Sequence, residues 1–265
     1  MTAHLLLEGR RALVTGGSRG IGRAIALGLA SAGADVAFSF RKANVEAENV
    51  AEGIRSFGRR AMAIRGDLAI PNDVERIADV ASTALDGIDV VVHNAGIASR
   101  GLDVASTSRE EVERVMTVHA IAPHVLTARL LPYLRQNLRS DVIFVSSAEV
   151  AAMHANGAPY NMAKSAMEAL ALTLAKEESR HGIRVNIVAP GLVMTEMGDR
   201  LVRAVTGSGS AELNVESMFP FRRACQPDDV AQVITALLSQ LFSYVTGQRI
   251  GVDGGIADID DVLRQ

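Results

Sequence analysis

A chain of 265 residues with 48% hydrophobic but only 4% aromatic side chains, and no tryptophan, can fill one α/β domain with a core of Ala, Val, Leu and Ile. The 27 Lys and Arg against 30 Asp and Glu give a formal charge of -3, and the arginines are dispersed, which argues against nucleic acid as a partner. A single cysteine, Cys225, excludes an intrachain disulfide and a multi-cysteine metal site.

The first apolar run, residues 5–7, is too short for a signal peptide or a membrane span, so a cytoplasmic protein without membrane contact is expected. Short apolar strands then alternate with helix-compatible segments. Residues 12–14 read as the first strand, a glycine loop follows, and 21–29 carry the apolar period of a helix. Residues 36–40 form the second strand, and a charged segment over 42–58 leads to the third at 61–64. A helix over 74–85, with Pro71 at its approach, precedes the fourth strand at 90–92. Residues 109–134 read as one long helix that Pro123 should bend or interrupt. The fifth strand at 142–145, a helix over 159–180, the sixth strand at 184–188, a helix over 230–241 and a strand at 249–252 complete the series. This alternation predicts a single α/β domain over 1–265, Rossmann-like, with a doubly wound parallel sheet of seven strands flanked by helices.

Residues 191–225 are the least regular. Gly207, Ser208, Gly209 and Ser210 precede the apolar group Met218, Phe219, Pro220 and Phe221. A substrate lid over 192–225 is expected, the alternative being a surface excursion that packs back on the domain.

The first strand runs into Thr15-Gly16-Gly17-Ser18-Arg19-Gly20-Ile21-Gly22. Glycines let such a loop turn sharply and approach a pyrophosphate, while the helix behind it aims unpaired N–H groups at the phosphate oxygens. The second strand ends Ser39-Phe40-Arg41 where an acidic residue would suit the ribose of NAD(H). Arg41 and Arg19 instead offer guanidinium donors to a 2′-phosphate, with Ser39 adding a hydroxyl, so NADP(H) is preferred and NAD(H) is the alternative. Further along, Tyr160 and Lys164 stand one helical turn apart on one face, where an ammonium can stabilise a phenolate. Ser146 and Ser147 end the strand before them.

Together these segments resemble the short-chain dehydrogenase/reductase family. The likeness is carried by the glycine loop, His93-Asn94-Ala95-Gly96, Tyr160-Asn161-Met162-Ala163-Lys164, Asn186 with Pro190-Gly191, and Gly247-Gln248 ahead of Asp253-Gly254-Gly255, over residues 8–257. Its general pattern is most similar to 3-oxoacyl-thioester reductases. The resemblance implies that Ser147, thirteen residues before Tyr160, completes a catalytic set with Tyr160 and Lys164. Tyr160 would exchange a proton with the substrate oxygen, and Lys164 would also bond the nicotinamide ribose. It implies cofactor contacts from Thr15, Gly16, Ser18, Arg19, Gly20, Ile21 and Gly22, from Asp67 and Leu68 beside the adenine, and from Asn94, Ala95 and Gly96, although Asn94 could equally cap its turn. Pro190, Gly191, Val193 and Thr195 would lie near the carboxamide, although Thr195 could equally start a helix. A homotetramer built on the long helices is also implied.

His119 departs from the family, which commonly has an asparagine there to hold a water on the proton path to the lysine. The histidine reads as a relay or site-shaping group, as a structural residue, or as a new acid/base group. His93, His119, His124, His154 and His181 are scattered, so no metal is expected. His154 belongs either to the substrate entrance or to the surface. The leading reading is NADPH-dependent reduction of a carbonyl, or its reverse, on a small-molecule substrate such as a 3-oxoacyl thioester, ketone, quinone, steroid or sugar. An NAD-dependent alcohol or sugar dehydrogenase and a noncatalytic nucleotide-dependent sensor are the alternatives.

Overall fold

The computed structural model describes residues 6–206, 219 and 221–255. Its strands are β1 (Arg11–Val14), β2 (Asp35–Phe40), β3 (Ala61–Arg65), β4 (Val90–His93), β5 (Ser140–Val145), β6 (Ile183–Pro190) and β7 (Arg249–Val252). Every residue of β4, β5 and β6 is buried, as expected of strands covered on both faces. The seven pair in parallel in the order β3-β2-β1-β4-β5-β6-β7.

The helices are α1 (Gly20–Ser31), α2 (Asn44–Ser56), α3 (Pro71–Ala84), α4 (Arg109–Met116), α5 (Ala122–Leu134), α6 (Glu149–Ala152), α7 (Ala158–Glu178), α8 (Glu196–Thr206) and α9 (Pro227–Leu238). Strand side chains alternate between two core clusters. Val14, Phe38, Val92 and Ile143 pack with Ile25, Leu29, Ile54 and Ile234 from α1, α2 and α9. Leu13, Val91 and Phe144 pack on the other face with Ile77, Leu126, Leu130 and Met167 from α3, α5 and α7. Each such Leu or Ile contributes roughly 1.5–3 kcal/mol of burial free energy.

Because β1 lies between β2 and β4, the chain winds outward through β3 and then returns to the far side of β1. A doubly wound sheet opens a crevice at the carboxyl ends of its strands at this reversal. The glycine loop leaves β1 there, Asn94 follows β4, and Ser146 and Ser147 follow β5 in the same layer.

Three local readings are refined. The charged segment over 42–58 contains helix α2, whose buried Ala47, Val50, Ala51 and Ile54 recur at helical spacing between its charges. The long helix over 109–134 is divided: α4 ends at Met116, a π-helical turn spans Thr117–Ile121, and Pro123 lies in the first turn of α5. Proline has no N–H to donate and crowds the turn before it, which accounts for the widening there. Residues 196–206 of the irregular region form α8. Of the expected lid, Gly207, Ser208, Gly209, Ser210, Met218 and Pro220 lie outside the described residues.

At the amino-terminal edge of the sheet, Asp89 and Asp141 are buried among four arginines. Arg10 pairs with both, at 2.5 and 2.7 Å. Arg11 pairs with Asp89 at 3.1 Å, Arg139 with Asp141 at 3.2 Å, and Arg184 closes on Asp141 from β6. Among the described residues no helix is long and apolar enough to cross a membrane.

Candidate active site

The glycine loop is stitched to the turn after β4 by two side chains. The buried Thr15 hydroxyl accepts the backbone N–H groups of Asn94 and Ala95, each at 3.0 Å. Asn94 donates its amide to the carbonyls of Thr15 and Gly16, at 2.9 and 3.3 Å. These polar atoms therefore brace the loop, and Asn94 takes the turn-holding role that was one of its two readings. Ser39 lies buried beneath the loop and accepts the Gly16 N–H at 3.3 Å. A Cβ at Gly22 would stand 2.1 Å from the Gly16 carbonyl, so only glycine lets α1 start this close to the loop. Behind it α1 has no side-chain cap and no acidic residue in its first turn, so its amino end is free to receive an anion such as a pyrophosphate.

Both arginines lie at this end of the cleft, each beside a carboxylate. Arg19 pairs with Glu196 at 2.8 Å, and Arg41 stands 3.8 Å from Asp67. Such exposed pairs are worth about 0–1 kcal/mol and yield easily to a doubly charged phosphate. Leu68 is buried in the core beneath α3 rather than open to the cleft. Pro190 ends β6 and accepts the Ala148 N–H at 2.8 Å, and Gly191 hydrogen-bonds β7 at 3.1 Å. Val193 bridges to Cys225 across the base of the expected lid. Thr195 accepts the Gly198 N–H at 3.1 Å and so starts α8, the second of its two readings.

Ser147, Tyr160 and Lys164 converge. The Tyr160 phenol and the Ser147 hydroxyl, which accepts the Glu149 N–H at 3.2 Å, face the same site. Burial pushes the phenol up to about 12, the nearby Ser147 hydroxyl acts in the opposite sense, and the charge of Glu149 adds to the rise. The Lys164 ammonium is buried, donates to the Val145 carbonyl at 2.7 Å, and lies 5.8 Å from the centre of the Tyr160 ring. Burial lowers it to about 7, while Glu168 acts in the opposite sense. With burial as the first cause of the rise, Tyr160 carries its proton at neutral pH. This arrangement can hydrogen-bond a carbonyl oxygen and deliver a proton to it.

A protein-family model described as enoyl-(acyl carrier protein) reductase matches residues 16–257. The chain is 33% identical to an L-rhamnose 1-dehydrogenase (NAD(P)(+)) of Sphingomonas sp., over 95% of this chain and 97% of that protein. It is 31% identical to the 3-oxoacyl-[acyl-carrier-protein] reductase of Staphylococcus aureus, over 93% of this chain and 98% of that one. A short chain dehydrogenase from Burkholderia cenocepacia, solved in complex with NADP, superposes with a TM-score of 0.84 at 32% identity, covering 94% of this chain and 98% of that one. The chain belongs to the short-chain dehydrogenase/reductase family. It is an oxidoreductase of that family.

In this short-chain dehydrogenase/reductase the π turn delivers His119 to the floor of the site. The buried ring stands edge-on to Tyr160 with centroids 5.3 Å apart. Nε2 lies 2.8 Å from the Ile97 carbonyl oxygen and 3.1 Å from the Ile97 backbone nitrogen, and Nδ1 has no partner among the described residues. A Cβ on residue 96 would come within 2.6 Å of the imidazole, so Gly96 makes room for it. Burial first, then the charge of Lys164, lowers His119 to about 3, so the ring is neutral. An Nε2–H donating to Ile97 leaves Nδ1 as an acceptor, compatible with holding a water and incompatible with a cationic acid.

The other histidines are not drawn into one cluster with it. His93 is stacked on Phe144 and bonded to Thr127 at 2.8 Å in the core. His154 bonds Glu149 through Nδ1 at 2.5 Å. It also lines a cavity of about 490 Å³ with Val104, Met153, Asn156, Asn161 and Ser165, whose walls do not include Ser147 or Tyr160. Among the described residues no group of three or more His, Cys, Asp or Glu could hold a metal ion. Three participants were not read from the sequence: Glu196, Glu168 and Arg249. Glu168 stands one helical turn beyond Lys164, a spacing that could have flagged it.

Proposed function

We propose that this short-chain dehydrogenase/reductase reduces a carbonyl to an alcohol with NADPH, or catalyses the reverse. The observation that carries the reading is the half-buried, protonated Tyr160 beside Ser147, with the buried Lys164 one turn along the same helix and bonded to the Val145 carbonyl at 2.7 Å. Gly16, Ser18, Gly20, Ile21 and Gly22 with the amino end of α1 would hold the pyrophosphate, and Arg19 and Arg41 the 2′-phosphate, while the buried Ser39 supports the loop from beneath. Thr15 and Asn94 keep that loop in place. Asp67 would face the adenine, and Ala95, Gly96, Pro190, Gly191, Val193 and Thr195 would border the nicotinamide end. When bound, the nicotinamide supplies or accepts the hydride.

Ser147 donates a hydrogen bond to the substrate carbonyl oxygen, and Tyr160 gives that oxygen its proton as the carbon gains hydride. Lys164 holds the ribose and returns the proton to the tyrosinate. His119 shapes the relay behind Lys164 as a neutral acceptor. The described parts of the lid expected over 192–225, namely α8 and the bridged pair Val193 and Cys225, would flank the substrate.

The solved Burkholderia cenocepacia relative in complex with NADP supports the cofactor choice. A 3-oxoacyl thioester is the first substrate class to test, by likeness to the Staphylococcus aureus enzyme. A sugar oxidised with NAD(P)+ is the second reading, favoured by the Sphingomonas relative and by the polar Glu149–His154 pair near Tyr160. The exposed apolar residues Ile121, Met162 and Leu172 on the π turn and α7 support packing against further copies of the chain, as a homotetramer in the cytoplasm. Turnover of 3-oxoacyl thioesters, ketones and sugars with NADPH and NADH tests the reading, with Tyr160→Phe as control. The variant should fold, bind NADPH and lose on the order of 1000-fold in rate. A wild-type chain that binds NADPH yet exchanges hydride with no substrate would instead support a sensor.

A further inference from the structure

We propose that Glu168 and Arg249 are positioning residues for this reaction, holding the strand exit that carries Ser147 and keeping a negative charge one helical turn behind Lys164. The inference rests on the roles assigned above to Ser147, Tyr160 and Lys164. Three consecutive residues at the end of β5 are each bonded by a different side chain. Lys164 donates to the Val145 carbonyl at 2.7 Å. The Ser146 hydroxyl donates to Glu168 at 2.5 Å. Arg249 donates through Nη2 to the Ser147 carbonyl at 2.9 Å.

The three bonds are linked to one another. Arg249 Nε donates to both carboxylate oxygens of Glu168, at 3.0 and 3.2 Å, so one guanidinium bridges Glu168 and the Ser147 backbone. Arg249 begins β7, where it is paired with Ile187 of β6, so the bridge ties the catalytic strand exit to the edge of the sheet. The Glu168 side chain is only 11% exposed. Burying a carboxylate costs free energy unless it is paired and hydrogen-bonded, and Arg249 and Ser146 provide both contacts. Fixing a backbone carbonyl by a planar two-point donor limits its displacement in a way a flexible ammonium does not.

The second consequence is electrostatic. The titratable and charged groups about Lys164 are Tyr160 and Glu168 on its own helix and His119 from the π turn, with Arg249 of β7 acting through Glu168. Burial favours neutral lysine, and Glu168 is the group that favours the ammonium. Without the Glu168 charge the ammonium deprotonates at lower pH. A step that needs the ammonium then fails earlier as pH rises.

The test uses the full chain with NADPH and a carbonyl compound that the wild type reduces. Glu168→Gln should keep its NADPH affinity within about twofold, lose about tenfold or more in kcat, and shift the alkaline limb of its kcat–pH profile to lower pH. Arg249→Lys keeps the cation but cannot bond Glu168 and Ser147 together. It should lose kcat while its alkaline limb stays near the wild-type position, and it serves if Glu168→Gln fails to fold. In the double variant Glu168→Gln/Arg249→Lys the losses should be less than multiplicative. Folded single variants with wild-type kcat and pH profile, or losses confined to thermal stability or to the KM for NADPH, overturn the inference. If Tyr160→Phe is itself fully active, the parent reading fails; if Tyr160→Phe is inactive while these variants behave as wild type, the positioning role alone fails.

Discussion

The imidazole of His119 stands edge-on to the phenol ring of Tyr160, with centroids 5.3 Å apart and planes 80° apart. The contact joins a neutral histidine to a protonated tyrosine, because burial depresses the first to about 3 and raises the second to about 12. Neither group titrates near pH 6.5. The kcat–pH profile should therefore carry no inflection from His119 between pH 5 and 8. His119→Asn keeps a donor and an acceptor and should stay within about tenfold of wild type, whereas His119→Ala leaves Ile97 unbonded and a void beside Tyr160, and should lose more. An inflection near pH 6.5 that disappears in His119→Asn would show the ring to be charged in the working enzyme.

Stability toward acid follows from the same histidine and from His93, also depressed to about 3 by burial. Both are neutral when folded and bind a proton below about pH 6.5 when unfolded. Each contribution is therefore fully present above pH 6.5 and is lost progressively as pH falls toward 3. At pH 5 the loss is roughly 2 kcal/mol for each histidine. Urea melts at pH 7.5 and 5.0 should show the decline, and His93→Gln should reduce its steepness; an unchanged slope would contradict the burial argument for His93.

Recognition of a 2′-phosphate by Arg19 and Arg41 makes a separable prediction. Removing either guanidinium, as Arg19→Gln or Arg41→Gln, deletes charge-assisted bonds worth about 1.5–3 kcal/mol and should raise the KM for NADPH about tenfold or more. The KM for NADH should hardly change. Glu196→Gln frees Arg19 from an exposed pair of little worth and should improve NADPH binding less than about threefold. Equal losses for both cofactors in the arginine variants would place these side chains away from the phosphate.

Most of the fold was legible because uninterrupted apolar strands alternate with helical periods, and a parallel sheet turns that pattern directly into buried strands. Helix α2 was not, since Glu46, Glu48 and Glu52 hide the stripe of Ala47, Val50, Ala51 and Ile54 that only packing against α1 reveals. In the site, the spacing of Tyr160 and Lys164 showed that they share a helix face, yet spacing carries no measure of desolvation, and desolvation sets both protonation states. The roles of Thr15 and Asn94 depend on an approach between segments 79 residues apart. Arg249 reaches Glu168 across 81 residues and Ser147 across 102, so no local pattern announces the bridge.

The amino-terminal edge of the sheet offers a test of stability apart from catalysis. Asp141 is buried in β5 and pairs with Arg10, Arg139 and Arg184, while Asp89 pairs with Arg10 and Arg11. Four guanidinium groups thus share two carboxylates, and each aspartate offsets the repulsion among cations drawn from β1, β5 and β6 and the residues before them. Asp141→Asn keeps the shape and some hydrogen bonding but leaves three arginines facing one another without their shared charge. Breaking such a buried cluster costs about 3–5 kcal/mol. The variant should unfold at clearly lower urea concentration with an unchanged slope, and it should retain NADPH affinity when folded because the cleft lies at the opposite edge of the sheet. Asp86→Asn removes an exposed partner of Arg60 and should change stability by less than about 1 kcal/mol. Equal effects in the two variants would mean that burial of the Asp141 cluster contributes nothing to holding the strands together.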